Sequence, residues 1–306
     1  MSGSYDAATS RREDGTPPGA PRVLVASATG YLGGHVARAL HDAGYRVRAL
    51  ARDPARLAPV ADACDEVFVG RATELASLDG ACDGVEAVFS SIGIRSFAPR
   101  PTFWDVDYHA NMNLLLQARR AGVRQFIFVS VLHGDQVRDR APLAEARERV
   151  VDALQRSDLT WTVFRPTGFF NDMAEIFGLA RRGLNVIVGD GRNHINPIHG
   201  ADLAAEAVRS LRDPSRHDRA LDLGGPDTYT FRALGLLAGE ALGRRVRTIA
   251  IPPALIGAAS AGVAPLNANA AALLKAVQLL GATDAVGTPV GSHHLPDFFR
   301  ELAARP

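Results

Sequence analysis

The chain has 306 residues, 47% of them hydrophobic, with 34 Lys and Arg against 33 Asp and Glu. It is long enough for one large domain or two modest ones around a substantial core, and a formal net charge of +1 leaves no overall excess to attract nucleic acid or an anionic membrane. Cys64 and Cys82 are its two cysteines, which argues for a reducing, cytoplasmic setting and against a disulfide framework or a Cys-based metal site.

Residues 1–20 mix Ser, Gly, Asp, Arg and Pro without an apolar run, the pattern of a disordered tail rather than a signal peptide. The chain then reads as a strand over 23–26, a turn over 27–33, a helix over 34–43 and a strand over 46–50. The turn is Ser27, Ala28, Thr29, Gly30, Tyr31, Leu32, Gly33. A βαβ unit opening on such a turn aims backbone N–H groups and the positive end of a helix dipole at one spot, where a dinucleotide pyrophosphate is stabilised.

On these residues the chain resembles the extended and atypical NAD(P)H-binding branch of the short-chain dehydrogenase/reductase superfamily. The family pattern is Gly-x-x-Gly-x-x-Gly; Gly30 and Gly33 match it, and Ser27 replaces the first glycine. The resemblance implies an α/β Rossmann fold, a doubly wound parallel sheet over residues 21–170, with a smaller C-terminal substrate lobe over 171–306. Some segments of that lobe would return to the sheet.

Arg52, at the tip of the second strand, offers a fork of donors for a 2′-phosphate where an acidic residue would favour NAD; NADP(H) is therefore expected over NAD(H). A third strand spans 65–69, and Arg71 stands where family members carry an adenine-contacting Asp. The fourth strand, 85–91, ends in Ser90, Ser91 and Ile92, small enough for the nicotinamide half to pass, or an ordinary strand-end turn. A helix over 105–121 carries Asn111, either a site-shaping Asn of the family or a packing Asn. The fifth strand, 125–130, delivers Ser130 and His133 to the sheet's carboxyl edge. After a helix over 143–155 and a sixth strand over 159–165, Pro166, Thr167, Gly168, Phe169 and Phe170 resemble the loop that covers the nicotinamide in the atypical branch. Asp202 is expected to N-cap a helix over 203–211. Residues 254–282 are the most apolar later segment, but Pro265, Asn267, Asn269 and Lys275 interrupt it, which favours a soluble helical segment and no membrane partner.

Ordinary family members reduce a carbonyl with a Tyr-x-x-x-Lys pair, and no tyrosine here has a lysine four residues on; Lys275 is the single lysine. The register of the family helix puts Ala144 and Glu148 in the Tyr and Lys places. The resemblance makes Ser130 the residue that hydrogen-bonds a substrate carbonyl, and His133 is either a proton donor or an ordinary surface residue of the loop. Arg147 reads as a stand-in for the lysine charge or a helix-surface ion pair. Phe97, Phe169, Phe170, Met173 and Phe177 would line an apolar pocket for a flat substrate, or serve equally as core. Adjacent His293 and His294 do not make a metal site, and none is expected. The expected activity is NADPH-dependent reduction of a conjugated or polycyclic aromatic ketone, as in antibiotic-type secondary metabolism, ahead of an activated alkene. The alternatives are a non-catalytic NADP(H) sensor and, more weakly, a nucleotide-sugar epimerase. The small-molecule substrate and the oligomeric state are left unnamed.

Overall fold

The computed structural model describes residues 19–94 and 96–305, so the expected tail over 1–20 lies outside the described residues except at its last two positions. In chain order the first half contains β1 (Arg22–Val25), α1 (Tyr31–Asp42), β2 (Arg46–Ala51), β3 (Glu66–Val69), β4 (Ala87–Ser90), a π-helical turn (Trp104–Ala110), α2 (Asn111–Arg120), β5 (Gln125–Val129), α3 (Gly134–Val137), α4 (Pro142–Gln155) and β6 (Thr160–Pro166). The second half contains α5 (Phe170–Arg181), β7 (Leu184–Val188), β8 (His194–Ile195), α6 (Gly200–Arg212), β9 (Arg219–Gly224), β10 (Tyr229–Thr230), α7 (Phe231–Ala241), β11 (Arg247–Ile251), α8 (Pro253–Val263), α9 (Ala268–Leu280), β12 (Thr288–Pro289) and α10 (Leu295–Ala304).

Eight parallel strands form the main sheet in the order β12-β9-β6-β5-β4-β1-β2-β3. This is the doubly wound Rossmann arrangement, with its switch point between β1 and β4. Alternate residues of β1 explain the layering. Val23 and Val25 pack under α1 and α6, whereas Leu24 and Ala26 pack under α2 and α4. In α1, Leu32, Val36 and Leu40 recur every four residues and form the buried stripe.

Residues beyond 170 do not form one separate body, because β9 and β12 complete the main sheet. The rest builds a lobe in which α5, α7 and α10 close on Phe170, Met173, Phe177, Leu234 and Phe299. Asn196, buried, ties lobe to sheet: its Nδ2 donates to the carbonyls of Gly225 and Gly287, and its Oδ1 accepts from Gly287 N–H. Asp202 is not the cap that the sequence suggested. Helix α6 begins earlier, at Gly200, and His199 Nδ1 accepts from Ala201 N–H; Asp202 instead accepts from the N–H groups of Ser292 and His293. Among the described residues, no helix is long and apolar enough to cross a membrane.

Candidate functional site

The Gly-rich turn leaves β1 and enters α1 with Gly30 N–H donating to Ser27 O at 2.8 Å. A Cβ on Gly33 would stand 1.9 Å from Ser27 O, so only glycine lets this helix start close on the strand. No side chain caps α1 and its first turn holds no acid, which leaves the N–H groups of Tyr31, Leu32 and Gly33 without an acceptor inside the helix. That is the donor set a pyrophosphate needs, and it fits a dinucleotide. Thr29 is half-buried in the same turn. Tyr31 turns its ring away from the turn, accepting from Gly200 N–H at 3.0 Å and meeting Phe169 edge-on at 6.0 Å between ring centres.

Across the switch point, Ser27 Oγ and Ser91 Oγ are 2.5 Å apart, and Ser91 N–H also donates to Ser27. The serine that replaces the first family glycine therefore bridges the tips of β1 and β4. Ser90, fully buried, donates to Asn111 Oδ1 at 2.6 Å, and Asn111 donates to the carbonyls of Ile92 and Asp107. These bonds consume the Asn111 side chain. It fixes the end of β4 from behind and does not face a substrate. Arg147 is not on the surface either: it pairs with buried Asp107 at 2.7 Å and donates to Val129 O, and a Cβ on Gly93 would strike it. Burial pushes the Asp107 carboxyl above its usual range, against the opposing pull of Arg147.

Beyond β5, β6 and β9 the carboxyl edge carries a charged cluster. Glu148, on α4, is buried and accepts from Ser130 Oγ and from Arg165 Nη2, both at 2.6 Å. Arg165 also reaches Asp135 at 3.1 Å. His133, in the left-handed region at φ 51°, sets Nδ1 3.7 Å from Asp222 Oδ2. Ser130 and His133 both stand at this edge, and the Ser130 hydroxyl donates to Glu148. Arg165, Asp135 and Asp222 were not anticipated. The signal for Arg165 was present: a charge at the end of a buried strand needs a buried partner.

The expected pocket lining is divided. Thr167, at the end of β6 after Pro166, donates to Asn196 O at 2.6 Å and is buried. Phe170, Met173 and Phe177 belong to the lobe core, with exposures of 2%, 6% and 3%. Phe97 is 68% exposed on the loop after β4 and lines nothing enclosed. Phe169 alone of these lies half-buried beside the Gly-rich turn. Arg52 is exposed at the tip of β2. His293 and His294 bond different carboxylates, Asp202 and Asp227, and no cluster among the described residues could hold a metal.

Residues 27–214 match the model of a family described as NAD(P)H-binding. The chain belongs to this NAD(P)H-binding family. The NAD(P)H-binding character expected from the Gly-rich turn thereby holds. This NAD(P)H-binding protein is 31% identical over 253 residues to divinyl chlorophyllide a 8-vinyl-reductase of Zea mays, covering 77% of this chain and 63% of that one. The chain spans less than two thirds of the length of that plant relative. It is also 31% identical over 227 residues to (4-alkanoyl-5-oxo-2,5-dihydrofuran-3-yl)methyl phosphate reductase of Streptomyces griseus, covering 74% and 75% of the two chains. The NADPH-dependent quinone oxidoreductase of Escherichia coli, solved with NADPH, shares its fold with a TM-score of 0.70, 22% identity and coverage of 92% and 99%.

Proposed function

We propose that this protein transfers hydride from NADPH to an electron-poor, conjugated acceptor: a conjugated or polycyclic aromatic ketone, a quinone-like ring, or an activated alkene. The observation that carries the reading is Glu148. Where Tyr-Lys reductases place the cation that sharpens their proton donor, this chain places a carboxylate held between Ser130 and Arg165. An isolated aliphatic carbonyl needs that proton as hydride arrives, whereas a conjugated acceptor delocalises the incoming charge into itself. The sequence favours a ketone. The two relatives at 31% identity, a vinyl reductase and a dihydrofuranone reductase, favour a carbon–carbon double bond, and conjugation is common to both.

When bound, NADPH would supply the hydride, and the rest falls to the chain. The N–H groups of Tyr31, Leu32 and Gly33 would hold the pyrophosphate, Arg52 the 2′-phosphate, and Ser90, Ser91 and Ile92 the passage of the nicotinamide half across the switch point. His133, backed by Asp222, is the group of the cluster suited to proton transfer. The test is NADPH oxidation by the purified protein against polycyclic aromatic ketones, quinones and enones, with NADH alongside. We expect turnover that prefers NADPH. Tight NADPH binding without turnover on any acceptor would assign the protein to the non-catalytic NADP(H) sensors.

A further inference from the structure

Helix α8 wears its polarity inside out. Its single polar side chain, Ser260, is buried and donates to Ala271 O at 2.8 Å on α9, while Ala254, Leu255, Ala258, Ala259, Ala261 and Gly262 are exposed. A surface helix normally shows water its polar face. The apolar surface continues into the turn before α9, where Leu266 is 83% exposed, against 62% for Leu255. It also reaches the loop after β4. Asn267 donates to Phe97 O, and Asn269 donates to the carbonyls of Ala98 and Pro101 while accepting from Phe103 N–H. These bonds set exposed Phe97 beside the tip of the α8–α9 hairpin.

The charge within this segment has one sign. Residues 241–283 contain no Asp or Glu, and their charges are Arg244, Arg245, Arg247 and Lys275. The three arginines are exposed just upstream of α8, with exposed Ile249 and Ala250 leading on to it along β11. A chain-wide net charge of +1 conceals this local excess.

We infer that the α8–α9 hairpin docks on an anionic lipid surface, its apolar face in the headgroup boundary and its cations against the lipid charge. Apolar side chains flanked by Arg and Lys, with acids absent, are what such an interface selects. A second copy of the chain is the poorer occupant, because self-pairing of this segment sets like charges together with no acid in it to offset them. The helices would lie on the surface, since none among the described residues is long enough to span it. Docking of this face is independent of the proposed reaction.

The test is flotation of the full chain with vesicles of phosphatidylcholine alone and with vesicles in which phosphatidylglycerol is about one third of the lipid. We expect flotation with the anionic vesicles, weakened by added salt, and at least about tenfold less binding by the double variant Leu255→Glu/Leu266→Glu. Both positions are exposed, and NADPH binding by the variant checks that the fold is intact. Absence of flotation with anionic vesicles, or equal flotation by the variant, would overturn the inference. So would a dimer seen by sedimentation that the double variant dissociates while the native chain ignores vesicles, which would give the face to a second copy.

Discussion

Glu148 accepts from Ser130 and Arg165 inside the protein, so its removal leaves a guanidinium that is 10% exposed with only Asp135 as counter-charge. An unpaired buried charge costs about 3–5 kcal/mol. Because Asp135 remains, Glu148→Ala is expected to cost about 3 kcal/mol in urea denaturation, with most of it recovered in Glu148→Ala/Arg165→Met. A loss under about 1 kcal/mol would mean that Arg165 does not depend on Glu148. At this scale the sequence was partly legible. Gly33 was readable because its role is steric and local, and Ser130 because the end of a buried strand points at the carboxyl edge. The partner that occupies the Ser130 proton lies on another element, and no local pattern announces it. Phe97 and Phe170 show the same limit: both are aromatic residues in loops or helix starts, yet one is exposed and the other is core, and packing across the lobe decides which.

Helices α1 and α6 meet the C-terminal segment through a stack of imidazoles. His199 lies parallel to His293 at 4.2 Å and edge-on to His35 at 5.1 Å between ring centres, with Tyr31 and Phe170 around them. Burial, then the charges of His293 and His35, push the His199 imidazole down to about 4, and Asp202 offsets this only in part. His35 is lowered too, chiefly by burial. In the unfolded chain an imidazole takes its proton near its ordinary value of 6.5, so between pH 6.5 and about 4 the unfolded state binds more protons and acid destabilises the fold. His294, raised by its hydrogen bond to Asp227, acts in the opposite sense. The informative comparison is therefore with His199→Asn, which keeps a side-chain acceptor for the α6 N-terminus and cannot titrate. Urea denaturation should show the native chain losing more stability than this variant on acidification from pH 7 to about 5. The difference should stay below about 1.4 kcal/mol per pH unit, because the ring is only half-buried. Parallel stability profiles would remove His199 from the acid response. The same elements explain the misjudged cap: Asp202 looks like an N-cap in sequence, but its partners Ser292 and His293 are 90 and 91 residues away.

The molecule as a whole is an eight-stranded parallel sheet whose order reverses between β1 and β4, and every feature of the candidate cofactor site follows from that reversal. The sheet up to β6 was readable because each βα unit announces itself by an apolar strand, a turn and a helix-spaced stripe. The lobe was not, since α5, α7 and α10 are brought together by contacts between elements far apart in the sequence, and β8, β10 and β12 are too short to leave a period. In the proposed function the switch point takes NADPH with its 2′-phosphate at Arg52. Dissociation constants for NADPH and NADH, measured by titration for the native chain and for Arg52→Asp, test this. NADPH should bind the native chain more tightly than NADH. The variant should lose NADPH affinity by at least about tenfold while NADH changes little, as removal of a charge-assisted phosphate contact implies. Equal losses for both cofactors, or no preference in the native chain, would contradict it.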